Sequence, residues 1–243
     1  MKKVIVLLSF VCTILLGNEL ETAFKAHKTG DYQKAFKHFK IACDNGEYIG
    51  CTSLGFLYES GQGVEQNYTE AFKYYKLTCD NGEYFGCYNL GSLYENGQGV
   101  EQNYTEAFKY YKLTCDNGDY LGCYNLGVLY RNGQGVEQNY KEAFKYSKIA
   151  CDNGVYEGCN SLGVLYVKGQ GVEQNYKEAF KYFKIACDNG EYRGCYGLGV
   201  LYENVQGVSQ SYSMMAKEYY AKACALGYQK GCAAFAYLNQ KGY

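Results

Sequence analysis

The sequence predicts an all-α protein, a solenoid of about six helical hairpins stacked in a row. Three observations lead there. The chain matches itself at a shift of 36 residues, as in N67-Y-T-E-A-F-K-Y-Y-K-L-T-C79, N103-Y-T-E-A-F-K-Y-Y-K-L-T-C115, N139-Y-K-E-A-F-K-Y-S-K-I-A-C151 and N175-Y-K-E-A-F-K-Y-F-K-I-A-C187. Each copy holds two segments with helical start, spacing and stop signals. Cysteines recur in pairs eight positions apart, and the 243-residue chain has no proline to interrupt a helix.

The elements follow in chain order. Lys2 and Lys3 precede an apolar run from Val4 to Leu16, closed by Gly17, so residues 1–17 read as a secretory signal peptide; the run is shorter than the ~20 residues of a membrane-spanning helix. Residues 18–30 are expected to form an N-terminal capping helix. Residues 31–243 form the repeats, with units starting near 31, 67, 103, 139, 175 and 211. In a unit's first helix, Asn67 caps the opening amides and Glu70 is placed to reach back, a pairing repeated at Asn103 with Glu106, Asn139 with Glu142 and Asn175 with Glu178. Tyr68, Ala71, Phe72, Tyr75 and Cys79 then share one face, and Gly82 ends the helix. The second helix, Glu83 to Asn96, sets Cys87, Leu90, Gly91 and Tyr94 on one face, with Gly86 and Gly91 admitting close neighbours. Gly97 closes it, and the linker G97-Q-G-V-E-Q102 leads to the next cap. The last copy has one extra residue and no capping box at Ser211 to Met214, which suits a terminal unit.

The cysteine pairs are Cys43 with Cys51, Cys79 with Cys87, Cys115 with Cys123, Cys151 with Cys159, Cys187 with Cys195 and Cys224 with Cys232. Each joins the end of a first helix to the start of the second, where closely packed helices bring alpha carbons within the roughly 4.4 to 6.8 Å of a disulfide. Zinc would favour Cys-x(2 to 4)-Cys spacing with histidine, whereas only His27 and His38 occur and both precede the pairs. Cys-x-x-Cys redox spacing is absent. The pairs therefore read as one staple per hairpin, with no metal and no cofactor expected.

The chain has 24 basic and 25 acidic side chains; without residues 1–17 it keeps 22 and 25, together with twelve cysteines. This mixed charge provides no basic face for phosphates, so nucleic acid is not an expected partner. An even cysteine count behind a signal peptide places the mature chain in an oxidising space, with no stable membrane insertion after cleavage.

The pattern A-x-x-x-Y-x-K-[LI]-[AT]-C-D-x-G followed by G-C-x-x-L-G-x-L-Y-x-x-G-x-G-V resembles the Sel-like repeat, a relative of the tetratricopeptide repeat. The paired cysteines are similar to those of the Helicobacter cysteine-rich proteins. The resemblance covers about residues 31–238 and implies a right-handed α/α superhelix of disulfide-stapled helix pairs, secreted or periplasmic in a bacterium. It also implies a beta-lactamase and penicillin-binding label, and with it beta-lactams as partners. The residues lack the corresponding machinery: there is no Ser-x-x-Lys, and Lys28-Thr29-Gly30 spells Lys-Thr-Gly in a turn before the repeats.

A binding scaffold is the leading functional expectation, its partner a protein, a peptide or a cell-wall fragment. First helices are expected to line a concave groove. His38, Tyr74, Tyr110, Tyr146 and Tyr182 occupy one position of successive copies and are candidate anchors, although that position also suits packing between units. Asn89 and Asn125 on second helices are candidate partners for a peptide backbone. Lys73, Lys109, Lys145 and Lys181 read as a solvated face. Asn67 and Asn103 lie in Glu-Gln-Asn-Tyr-Thr stretches and are glycosylation candidates, whereas later copies read Asn-Tyr-Lys.

Overall fold

The computed structural model describes residues 19–204 and 210–242, so the signal-peptide reading of residues 1–17 lies outside the described residues. Among the described residues every regular element is a helix. They form two compact units divided after Asp119. The first holds α1 (19–28), α2 (Tyr32–Asp44), α3 (Tyr48–Ser60), α4 (Tyr68–Asp80), α5 (Tyr84–Asn96) and α6 (Tyr104–Asp116). The second holds α7 (Tyr120–Asn132), α8 (Tyr140–Asp152), α9 (Tyr156–Lys168), α10 (Tyr176–Asp188), α11 (Tyr192–Glu203), α12 (Gln210–Ala225) and α13 (Gln229–Gln240). Within each unit, consecutive helices pack as hairpins, and each hairpin packs on the next.

The helix starts show how the sequence sets these boundaries. The Asn67 side-chain oxygen accepts from the amides of Thr69 and Glu70, each at 3.1 Å, and Asn103, Asn139 and Asn175 cap their helices in the same way. The return half of the expected capping box is not made. The Asn67 amide instead donates to the Tyr58 carbonyl at 2.8 Å, tying the linker to the preceding helix, and Glu70 turns outward to Lys73 at 2.6 Å. The linker is held at its middle as well: Gly99 has φ +68°, and a Cβ there would lie 2.3 Å from the Tyr68 carbonyl oxygen.

Hairpins meet through a ring-on-glycine contact. Tyr75 of α4 seats its ring on Gly55 of α3, where a Cβ would stand 2.5 Å from the ring, and its hydroxyl donates to Glu59 at 2.6 Å. Tyr111 with Gly91 and Glu95 repeats this arrangement, as does Tyr220 with Gly199 and Glu203. Burial, and then the hydrogen bond to Glu59, holds the Tyr75 hydroxyl far above the usual phenol range, so it stays the donor. Copies whose first helix lacks this hydroxyl also lack the acid. Phe183 has Val167 at the corresponding position, Ser147 has Arg131, and Phe39 has Ala23 of α1. A buried ring thus carries an acid opposite it only where it can bond to that acid.

This pairing predicts the outcome of a double substitution. Tyr75→Phe strands Glu59 and is expected to cost about 1.5 kcal/mol in urea unfolding. Adding Glu59→Val, the pair that Phe183 and Val167 already form, should return most of it; a double variant no more stable than Tyr75→Phe would refute the coupling.

At the start of the first unit, α1 buries Ala23 and Ala26 against Phe39, Leu54 and Leu57, covering the apolar side of the first hairpin. Buried Thr78 of α4 and Leu93 of α5 complete faces that the sequence reading had drawn without them.

A candidate ligand-binding groove

Each disulfide bridge described joins a first helix to its second helix across the turn. The bridges are Cys43–Cys51, Cys79–Cys87, Cys151–Cys159, Cys187–Cys195 and Cys224–Cys232, with alpha carbons 4.4 to 4.7 Å apart. Cys115 and Cys123 are disulfide-bonded as well. Gly86 and Gly194 make room for these turns, since a Cβ at either would stand within 3.0 Å of backbone atoms of the facing helix.

The tyrosine series lies between hairpins. Tyr74 stacks on Tyr58, Tyr110 on Tyr94, Tyr146 on Tyr130 and Tyr182 on Tyr166, with ring centroids 5.6 to 5.7 Å apart. In several copies the phenylalanine of the same hairpin meets the second-helix ring edge-on, as Phe72 does Tyr94 and Phe144 does Tyr166. Tyr146 and Tyr182 are buried, while Tyr74 and Tyr110 are half-buried. Lys109, Lys145 and Lys181 lie over the rings beside them and pair with Glu106, Glu142 and Glu178, an exposed row. His38, the first member of the series, has no such stack; its ring nitrogen pairs with Glu19 of α1. Asn89 and Asn125 are half-buried on α5 and α7. Asn67 and Asn103 use their side-chain oxygens as caps at exposed positions. Thr29 donates its hydroxyl to the Lys25 and Ala26 carbonyls, and Gly30 turns at φ +80°, so Lys28-Thr29-Gly30 is the end of α1.

A recess in the second unit has a volume of about 990 Å³. Second helices supply Asn160, Val164 and Val167 of α9 and Arg193, Tyr196, Gly197 and Val200 of α11 to its walls. The first helices α10 and α12 supply Tyr176, Phe180 and Phe183, and Tyr212, respectively. The glycines of these second helices receive rings of the neighbouring first helices, as Gly163 and Gly197 receive Phe183. The sequence reading named none of these residues. Their signal was departure from the repeat: Gly197 stands where earlier copies have Ser53, Asn89, Asn125 and Ser161, and Arg193 where they have Ile49, Phe85, Leu121 and Glu157.

Stacked helical hairpins with a cystine at the turns and an aromatic groove between second helices define a helical-repeat scaffold. The Sel1 repeat family matches residues 26–47, 49–83, 85–119, 121–155, 157–191 and 193–228, and the chain belongs to that family. The family's repeat begins at a second helix and ends after the next first helix, so in that phase each described bridge leads from one repeat into the sequence that follows it. The Sel1 repeat protein from Oxalobacter formigenes has the same fold, with a TM-score of 0.81 at 24% identity over 89% of this chain and 86% of that one. A protective antigen of uropathogenic Escherichia coli with an SLR fold superposes with a TM-score of 0.77 at 26% identity, over 94% of this chain and 50% of its own. Among curated proteins, Helicobacter pylori HcpE, which bears a beta-lactamase label, is 53% identical over 45 residues. That match spans 18% of this chain and 13% of HcpE.

Proposed function

We propose that the protein is an exported, disulfide-stapled Sel1-repeat scaffold, secreted or periplasmic in a bacterium, that binds a protein or peptide partner in the groove of its second unit. The groove carries this reading: it is largely apolar and aromatic, large enough for several side chains, and rests on hairpins locked at both turns, so little ordering opposes binding. Export is supported by the cystines, which persist in oxidising compartments, and by the Lys-led apolar run at the start of the chain. Among the described residues no helix is long and apolar enough to cross a membrane.

The test is a purified interaction. Cross-linking in the host envelope followed by mass spectrometry is expected to identify a protein that, once purified, binds the oxidised chain with a Kd of about 10 μM or tighter. Failure of every purified candidate to bind would overturn the scaffold reading.

A further inference from the structure

The groove departs from the repeat at two neighbouring positions, and the departures are complementary. The first is Gly197. A Cβ there would stand 2.9 Å from the Phe183 ring, so glycine lets that ring, itself only 4% exposed, pack against α11 beneath the recess, between Val164 on α9 and Tyr196 and Val200 on α11. The second is Arg193, one helical turn earlier, which lines the same recess with its side chain 46% exposed.

The surroundings of Arg193 orient it without neutralising it fully. Its guanidinium lies over the Tyr192 ring, 5.0 Å from the centroid. Glu191 is its acidic neighbour, at 3.9 Å from Nε, but that carboxylate is buried and accepts the Arg193 backbone N–H at 3.2 Å. Lys168 also lines the recess, and among the described residues that line it none is acidic.

Resting on the scaffold function above, we propose that this recess binds an extended peptide segment carrying a large apolar side chain and, two residues away, an aspartate or glutamate. The apolar group seats among Val164, Tyr196 and Val200 at the level of Gly197, where no side chain projects from α11, and the carboxylate meets the Arg193 fork. The spacing sets the register. Residues four apart on a helix are about 6 Å apart along its axis, and side chains two apart on an extended strand are about 6.6 Å apart on one face.

Fluorescein-labelled, C-terminally amidated peptides with the cores Phe-Gly-Glu, Phe-Gly-Gln and Ala-Gly-Glu test the proposal by fluorescence polarisation against the full oxidised chain. Phe-Gly-Glu is expected to bind at least tenfold more tightly than either of the others. Arg193→Gln should erase the difference between the Glu and Gln peptides, and Gly197→Asn should weaken Phe-Gly-Glu at least tenfold while the helical circular dichroism is retained. Should Gly197→Asn fail to fold, the exposed Arg193→Gln change decides the matter. Equal binding of all three peptides, no saturation by 1 mM protein, or unchanged discrimination in Arg193→Gln overturns the proposal. So does tighter binding of a Phe-Gly-Gln peptide with a free terminal carboxylate, which would assign the recess to chain ends. A purified host partner indifferent to both substitutions would keep the scaffold function and discard this site.

Discussion

Replacing Cys187 and Cys195 together with alanine is expected to lower unfolding stability by about 2.5 kcal/mol, the chain-entropy value for opening a loop of roughly nine residues. The bridge is buried, with Cys187 at 8% and Cys195 at 1% exposure, and it connects the end of α10 to the start of α11. In a row of hairpins stability is the sum of units and their interfaces, so the loss should be local before it is global. Hydrogen exchange should show the facing ends of α10 and α11 losing protection first, with α8 and α9 following. Urea midpoints read the total; a variant within 0.5 kcal/mol of the parent would show that packing alone holds the turn. The groove should suffer as well, because Phe183 and Arg193 flank this bridge in sequence and line the recess.

Gly163→Ala should be comparably damaging, for a different reason. A Cβ at Gly163 would stand 2.5 Å from two atoms of the Phe183 ring, and Gly197 limits that ring from another side, where a Cβ would lie at 2.9 Å. Overpacking of this kind costs about 1 to 3 kcal/mol, and a contact this short against a buried ring confined on two sides puts it at the upper end, above the ~1 kcal/mol that alanine gains over glycine inside a helix. Gly127 is the internal control. Its neighbour is Ser147 in place of an aromatic ring, and the closest approach of a Cβ is 3.1 Å, so Gly127→Ala should cost much less. Thermal unfolding of both variants measures the contrast, and equal losses would refute the ring-on-glycine account.

Much of the fold was legible because the repeat states each local rule several times. The caps at Asn67, Asn103, Asn139 and Asn175, the glycines that end the helices and the cysteine spacing all act within a hairpin, where sequence distance and spatial distance agree. The return arm of the capping box failed because its target amide was claimed by the Tyr58 carbonyl, a contact fixed by the path of the linker. Contacts between hairpins were harder to read. The tyrosine series was visible, but its stacking on Tyr58, Tyr94, Tyr130 and Tyr166 depends on which neighbour each face meets. The groove was least legible, since it arises where Gly197 and Arg193 break the pattern, and averaging over copies discards such positions.

The placement of the sulfurs has a consequence for how such chains grow. A segment such as 157–191 carries Cys159, bonded backward to Cys151, and Cys187, bonded forward to Cys195. Like a railway carriage with a coupling at each end, a whole copy can be added or lost by recombination without leaving an orphan thiol. Length can therefore drift over generations while oxidative assembly stays complete.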